Sequence, residues 1–390
     1  MSNLMIELHL IQNFAPSCLN RDVTNTPKDC EFGGVRRARI SSQCIKRSTR
    51  LCFRDKGIED IGKRTKLLKS ELARRLSDLG RPEQLSAALD AFLETYYSKM
   101  DAQRPDQTAV LLYLAEPEIA EAAQCVREIW NDLSAVAEAR GGAQDGSKRT
   151  KGLELKQDKQ IAERLRRAGL SADVALFGRM LAENPEMNVE AACQVAHAIS
   201  THRVDMDLDF YTAVDDLNPA SETGAGMMGE TGFNSACFYR YSVIDRNQLI
   251  ANLGGDEKLA DTVIRAFIEA SVEAIPTGKQ NSFAAHNKPD FGMIVVRKNG
   301  APCSLANAFA TPIRIKPGSD EDLIGLSIES LCSLYPKMKQ VYGDGGVVHE
   351  SIWHLGHGDR LGEMKQADRK SMTEAVDAAM AAVARAASEV

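Results

Sequence analysis

No Cys-x-x-Cys pair occurs among the nine cysteines, which removes the usual zinc and thioredoxin-like spacings. No uncharged apolar run is long enough to span a bilayer, since even the Ala-rich end is broken by Asp377 and Arg385. Nor is there a Walker loop, a G-x-S-x-G elbow or a His-Glu-x-x-His. The first basic residue is Arg21, so the charged start of a signal peptide is missing. Scattered single cysteines suit a reducing compartment, and the expectation is a cytoplasmic protein away from any membrane. The most telling absence is local. Between Phe32 and Arg54 there is no Asp or Glu, while seven Arg or Lys residues stand there.

The whole chain is acidic, with 54 Asp+Glu, 48 Lys+Arg and a formal charge of -6 over 390 residues. A basic block inside an acidic chain is a local field suited to a polyanion. It crosses Val35 to Ile40, which can extend as a strand, and Ser41-Ser42, which offers an N-cap for a helix towards Arg54. Free N–H groups and the helix dipole at such a junction add to the attraction for phosphate. Ser41, Ser42 and Gln43 supply short donors for phosphate or ribose oxygens. A solvated charged face is the ordinary alternative, but this stretch contains no acids to absorb it. Nucleic-acid contact is the stronger reading.

Alternation marks Met5–Gln12 as a strand, followed by an Asn- and Pro-containing loop to Gly34. On the helix after Ser41, Cys44, Ile45, Leu51 and Cys52 are expected inside, with Lys46, Arg50 and Arg54 outside. From 57 to 200 the composition turns helical, with periodicity in Thr65–Leu79, Gln84–Tyr97, Pro117–Ala139 and Val189–Ile199. Gly141–Ser147 is expected to break these helices, and a second basic stretch follows. Val204–Val214 and Asn234–Ile244 read as strands, Asp256–Ile275 as a helix and Phe291–Val296 as a buried strand. Helices are expected over Asp320–Val341 and Asp368–Val390. With the helical insertion set aside, the order strand, helix, strand, strand, helix, strand is the split βαβ order of ferredoxin-like domains. The fold class expected is α+β.

Other motifs carry less. Gly224-Ala225-Gly226-Met227-Met228-Gly229 spells G-x-G-x-x-G, but Asn218-Pro219 precedes it and a β-like segment follows, against a dinucleotide site. It reads better as a tip between strands, where Met227, Met228 and Phe233 either wedge against bases or pack within a hairpin. Asp205, Asp207 and Asp209 share one strand face and suit a polar surface better than a metal. His349, His354 and His357 form a weak zinc pattern without Cys.

Pro16-Ser17-Cys18-Leu19-Asn20-Arg21-Asp22, Lys28-Asp29, and the run from Phe32-Gly33-Gly34 through Ser41-Ser42-Gln43 to Lys46-Arg47 together resemble the repeated backbone subunit (CasC) of type I-E CRISPR Cascade complexes. Gly178-Arg179-Met180, Ala196-His197-Ala198-Ile199, Asp215-Asp216-Leu217, Phe238-Tyr239-Arg240-Tyr241 and Ser304–Phe309 match in the same order. The stretch from about Gly318 matches poorly. The resemblance implies a ferredoxin-like palm (1–56, 201–300 and the C-terminal part 301–390), helical fingers over 57–200 and a hairpin thumb at about 205–241. It implies head-to-tail copies along a CRISPR RNA, target DNA paired to the guide, other Cascade subunits and a recruited helicase-nuclease. No bond-breaking step, cofactor or metal is implied for the subunit itself. Asn20, Arg21, Lys28, Arg37, Ser41, Gln43, Lys46 and Arg50 are the implied guide-binding residues, and Phe233 the thumb residue near kinked bases. Lys148, Arg149, Lys151, Lys156 and Lys159 are the counterpart of a DNA-facing lysine strip. The rival is a metal-dependent RNA endonuclease like the related type III backbone subunits, with Asp22 or Asp29 suspected. A small-molecule enzyme using the Gly224–Gly229 loop is a third, weaker reading.

Overall fold

A computed structural model describes residues 3–58, 60–141, 158–213, 227–316 and 318–388. The chain forms two compact units. The first comprises Met1–Lys56, Cys193–Asn247 and Asp261–Val390; the second comprises Gly57–Ala192 and Gln248–Ala260.

In chain order the first unit opens with β1 (Leu4–Ser17), the hairpin β2 (Asp29–Phe32) and β3 (Val35–Ile40), and helix α1 (Ser42–Cys52). The second unit holds a two-stranded ribbon, β4 (Lys63–Thr65) and β5 (Leu112–Leu114). Its helices are α2 (Leu68–Arg75), α3 (Pro82–Tyr96), α4 (Glu116–Glu128), α5 (Trp130–Gly141), α6 (Lys159–Arg167) and α7 (Ala172–Phe177). Helices α2 to α6 close around a core that includes Leu72, Leu89, Phe92, Leu93, Val126 and Leu133, all buried. Beside this apolar core Arg179 donates to Glu118 at 2.6 Å and to the Tyr113 and Met187 carbonyls. Both partners are buried, and the carbonyls take up donors that the carboxylate does not reach.

The chain then returns through β6 (Cys193–Val195), β7 (Ala198–Ser200), β8 (Asp207–Ala213) and β9 (Met227–Asp245). After α8 (Arg246–Asn252) and α9 (Glu257–Glu273) come α10 (Gln280–Phe283), β10 (Phe291–Lys298), α11 (Leu323–Tyr342), β11 (Val347–His354) and α12 (Met372–Ser388). The large sheet runs β11-β10-β1-β9-β7-β3-β2, with β6 and β8 also paired to β9. Its described pairings are antiparallel. Leu8 faces Ile294 on one side and Ser242 on the other, so even positions of β1 share one face and odd positions the other.

The two faces bury different chemistry. Phe14, Ile40, Ile45, Ala198 and Phe238 form the core under α1. Ile11, Tyr239, Met293, Val295, Ile328 and Leu331 form the core under α11. Within the second face Glu7 accepts from the Tyr241 hydroxyl (3.2 Å), the Cys303 N–H (3.1 Å) and the Arg297 guanidinium. His9 Nδ1 meets the Tyr239 hydroxyl at 2.9 Å, and that hydroxyl also takes the Leu305 N–H. A buried polar chain of this kind fixes which side chains sit opposite each other.

The structure corrects several local expectations. Val189–Ile199 is not a helix; its second half forms β6 and β7, because pairing to β9 outweighs local helical periodicity. Pro117–Ala139 is two helices broken near Ile129. The loop to Gly34 contains β2, paired to β3 from Asp29 to Phe32. On α1 the inner residues are Ile45 and Thr49, while Leu51 is exposed. Strand β11, at the sheet edge, had no counterpart in the sequence reading.

Candidate nucleic-acid interface

The β3–α1 junction is built by a loop that folds over it. Asn20 Oδ1 accepts the Ser41 N–H at 2.8 Å, and the Asn20 carbonyl accepts the Lys28 N–H at 2.8 Å. Ser41 is the N-cap of α1, its hydroxyl accepting from the Cys44 N–H at 3.3 Å. His197, following β6, accepts the Ser42 N–H on Nδ1 at 3.0 Å, with Arg39 Nη1 3.4 Å from the same nitrogen. Among the described residues no acceptor meets the Gln43 N–H, and the Gln43 side chain is exposed beside it. The helix therefore offers a dipole end and an open donor.

Around this end lies a surface cleft of about 520 Å³, lined by Leu19, Asn20, Arg21, Asp22, Val23, Asn25, Cys44, Arg47, Ser48, Thr277 and Gly278. Gly278 closes one wall: a Cβ there would lie 2.3 Å from the Leu19 carbonyl oxygen, so only glycine allows this approach. Arg21 donates to Asn25 Oδ1 at 2.6 Å. Among the described residues no carboxylate pairs with Arg21, Lys28, Arg39 or Arg47. Lys46 and Arg50 sit half-buried on α1. Asn20, Arg21, Lys28, Ser41, Gln43, Lys46 and Arg50 are thus carried by one loop and one helix of the first unit.

Arg37 is the exception and is corrected here. It is fully buried, donating to the Phe32 carbonyl (3.1 Å), the Ser200 carbonyl (3.2 Å) and the Phe309 carbonyl (2.6 Å). Its guanidinium ties β3 to β7 and to the Phe309 turn, and no face of it is open to a phosphate. Arg36 is also less available than the acid-free stretch suggested, because it forms an ion pair with Asp29 from the neighbouring strand.

Asp22 is tied into its own loop. Its Oδ1 accepts the Thr24 N–H (2.8 Å), the Thr24 hydroxyl (2.7 Å) and the Thr26 N–H (3.2 Å), and its Oδ2 accepts the Thr26 hydroxyl (3.2 Å). The Thr24 hydroxyl, with these other donors, holds the carboxyl below its ordinary range. Asp22 shapes the loop, and Asp29 is committed to Arg36.

Phe233 lies at the foot of the β8–β9 hairpin, opposite Asp207, with its ring centroid 5.7 Å from that of Phe283. It is half-buried. Leu208, Phe210 and Met228 are the exposed apolar residues on the opposite face of the same hairpin. Lys279 donates to the Thr231 hydroxyl and fastens the foot of the hairpin to the Thr277–Lys279 turn. Lys148, Arg149, Lys151, Lys156 and Gly224–Gly226 lie outside the described residues. Lys159 is exposed at the start of α6. Asp205 pairs with Arg203, and His354 with Asp368. Among the described residues no group of His, Cys, Asp and Glu is arranged to hold a metal, and no helix is long and apolar enough to cross a membrane.

His197 and the Thr277–Gly278–Lys279 turn belong to this site although sequence reasoning did not select them. His197 is exposed and far along the chain from the basic block, and its only signal was its place in a matched motif. Burial, then the Arg39 and Lys28 charges, keep its imidazole below the usual histidine range, and its Nδ1 acts as acceptor. The unfolded chain therefore binds the proton more readily than the native one. Stability is expected to fall as pH drops from 7 to 5, and His197→Gln to flatten part of that slope. Urea unfolding at several pH values measures this; a variant with the wild-type slope would exclude the role.

A family model described as CT1975-like protein matches residues 6–378. A chain of a solved "CRISPR RNA-guided surveillance complex, pre-nicking" is 30% identical, with TM-score 0.83, over 97% of this chain and 99% of that one. A chain of a second structure, "CRISPR RNA-guided surveillance complex", shares the fold at 24% identity and TM-score 0.74, over 97% of this chain and 99% of that one. No curated protein matches the chain. The architecture is of the class found in subunits of CRISPR surveillance complexes. The chain belongs to the CT1975-like family, the CasC backbone subunits of type I-E Cascade that its N-terminal motifs resemble.

Proposed function

We propose that this protein is a non-catalytic guide-RNA scaffold, binding CRISPR RNA along the cleft at the start of α1 and polymerising head to tail on it. The observation that carries the reading is the meeting of uncompensated cations with an open helix N-terminus: Arg21, Lys28, Arg39 and Arg47 surround a capped end that leaves the Gln43 N–H open. Such donors neutralise phosphates without reading bases, so one subunit can carry any spacer. The guide bases stay available to pair with target DNA, while cleavage belongs to a recruited helicase-nuclease. The pairing order β10-β1-β9-β7, with α1 and α9 between the strands in sequence, supports a ferredoxin-like palm. The second unit corresponds to the fingers and the β8–β9 hairpin to the thumb. The basic residues from Lys148 to Lys159 remain assigned to target DNA.

The reading is tested by measuring affinity for guide RNAs that share repeat-derived ends but differ in spacer. Affinities within about threefold of one another are expected, since phosphate contacts carry no base information. A ranking that follows spacer sequence would contradict it. Phe233→Ala, which loosens the foot of the hairpin, should disturb the regular spacing of assembled copies more than RNA affinity. Electron microscopy of reconstituted filaments gives the spacing, and normal filaments would remove Phe233 from that role.

A further inference from the structure

Independently of the RNA reading, we propose that Arg240 forms a buried site for a single monoatomic anion, of the chloride type, between the sheet and helices α1 and α9. Arg240 stands on β9 and is only 7% exposed. Its guanidinium donates to Gln12 Oε1 at 2.5 Å and to the Ser271 carbonyl at 2.8 Å. Gln12 is held in that orientation because its own amide nitrogen donates to the Asn287 carbonyl at 2.7 Å. A guanidinium carries five N–H donors, so these two acceptors leave donors over.

Among the described residues, every other buried arginine has an acid or a ring of carbonyls. Arg297 has Glu7, Arg179 has Glu118, Arg246 has Asp261, and Arg37 has its carbonyls. No carboxylate pairs with Arg240 among the described residues, and burial alone pushes it down to about 10. A buried charge without a counter-charge is expensive, and proteins normally supply one.

The space beside it has the right size and lining. A cavity of about 10 Å³ is bounded by Arg240, Thr49 of α1, Ser242 of β9 and Ser271 of α9, with an otherwise apolar wall and no carboxylate. That volume admits one water-sized body and excludes phosphate, sulfate or an organic acid. Thr49, Ser242 and Ser271 bring hydroxyl-bearing residues from two helices and the sheet to its lining. A water would satisfy the donors and leave the charge uncompensated; a halide does both. Because Thr49 lies on the inner face of α1, the occupant would tie that helix to the sheet.

Thermal unfolding of the native protein at constant pH and ionic strength, with chloride exchanged for gluconate, reads this site. The Tm is expected to rise by roughly 2 °C for each tenfold increase in chloride above its Kd. Bromide should substitute and gluconate should not. Arg240→Gln should abolish the chloride-over-gluconate difference. Should that variant fail to fold, crystals of the native protein soaked in bromide decide, with an anomalous peak expected beside the Arg240 guanidinium. Coincident chloride and gluconate curves, or a cavity holding only water in bromide-soaked crystals, would overturn the proposal.

Discussion

Alanine at Arg21, Lys28, Lys46 and Arg50 together is expected to lower affinity for guide RNA by about 10²–10³-fold near physiological salt. Each phosphate contact on a single strand contributes about 0.7 to the slope of log K against log salt. Losing four contacts should flatten that slope by about 3. Arg36→Ala is the matched control, because the Arg36 charge is already paired with Asp29 and its removal should change the slope by less than one contact's worth. Titrations of labelled RNA at several salt concentrations give both slopes. A fourfold variant with the wild-type slope would mean that the phosphates lie elsewhere on the protein.

Arg37→Ala should behave in the opposite way, with a large loss of stability and no change in salt dependence. The guanidinium is fully buried and satisfies the carbonyls of Phe32, Ser200 and Phe309. Deleting it strands those acceptors and leaves a void between β3, β7 and the Phe309 turn. Stranded buried acceptors cost about 1–3 kcal/mol each, not fully additively, so a loss of about 3–5 kcal/mol is expected. The urea midpoint should fall with the slope of the transition unchanged. Under conditions where the variant is folded, its RNA salt slope should equal that of the wild type. A stable variant with a flattened slope would return Arg37 to the phosphate contacts.

The contrast between Arg37 and its neighbours marks what a sequence can and cannot reveal. Lys28, Lys46 and Arg50 were readable because charge density is a property of the chain. Whether a guanidinium faces solvent or three carbonyls depends on strands that arrive more than 160 residues later, as Ser200 does for Arg37. The sheet strands β1, β9 and β10 were legible for equally local reasons, alternation in the first, aromatic and β-branched residues in the second and a short apolar run in the third. Cys193–Ser200 was not, because its helical periodicity is overridden by pairing with β9. His197 escaped notice because its value lies in one hydrogen bond to Ser42, which spacing does not encode. The place of Asp22 in its own loop is likewise a matter of four donors on one carboxylate rather than of residue type. Family motifs carried the functional reading further than periodicity could, since they singled out Asn20, Arg21 and Arg47, whereas Gly278, more than 250 residues after Asn20, joins the same cleft without any motif to mark it.

The central claim is that the cleft beside α1 holds guide RNA by its backbone. Its most direct test is to purify the protein at gentle salt and sequence the nucleic acid that accompanies it. Short RNAs with common repeat-derived ends and many different spacers are the expected result. Recovery of no RNA, or of random fragments without shared ends, would contradict the account.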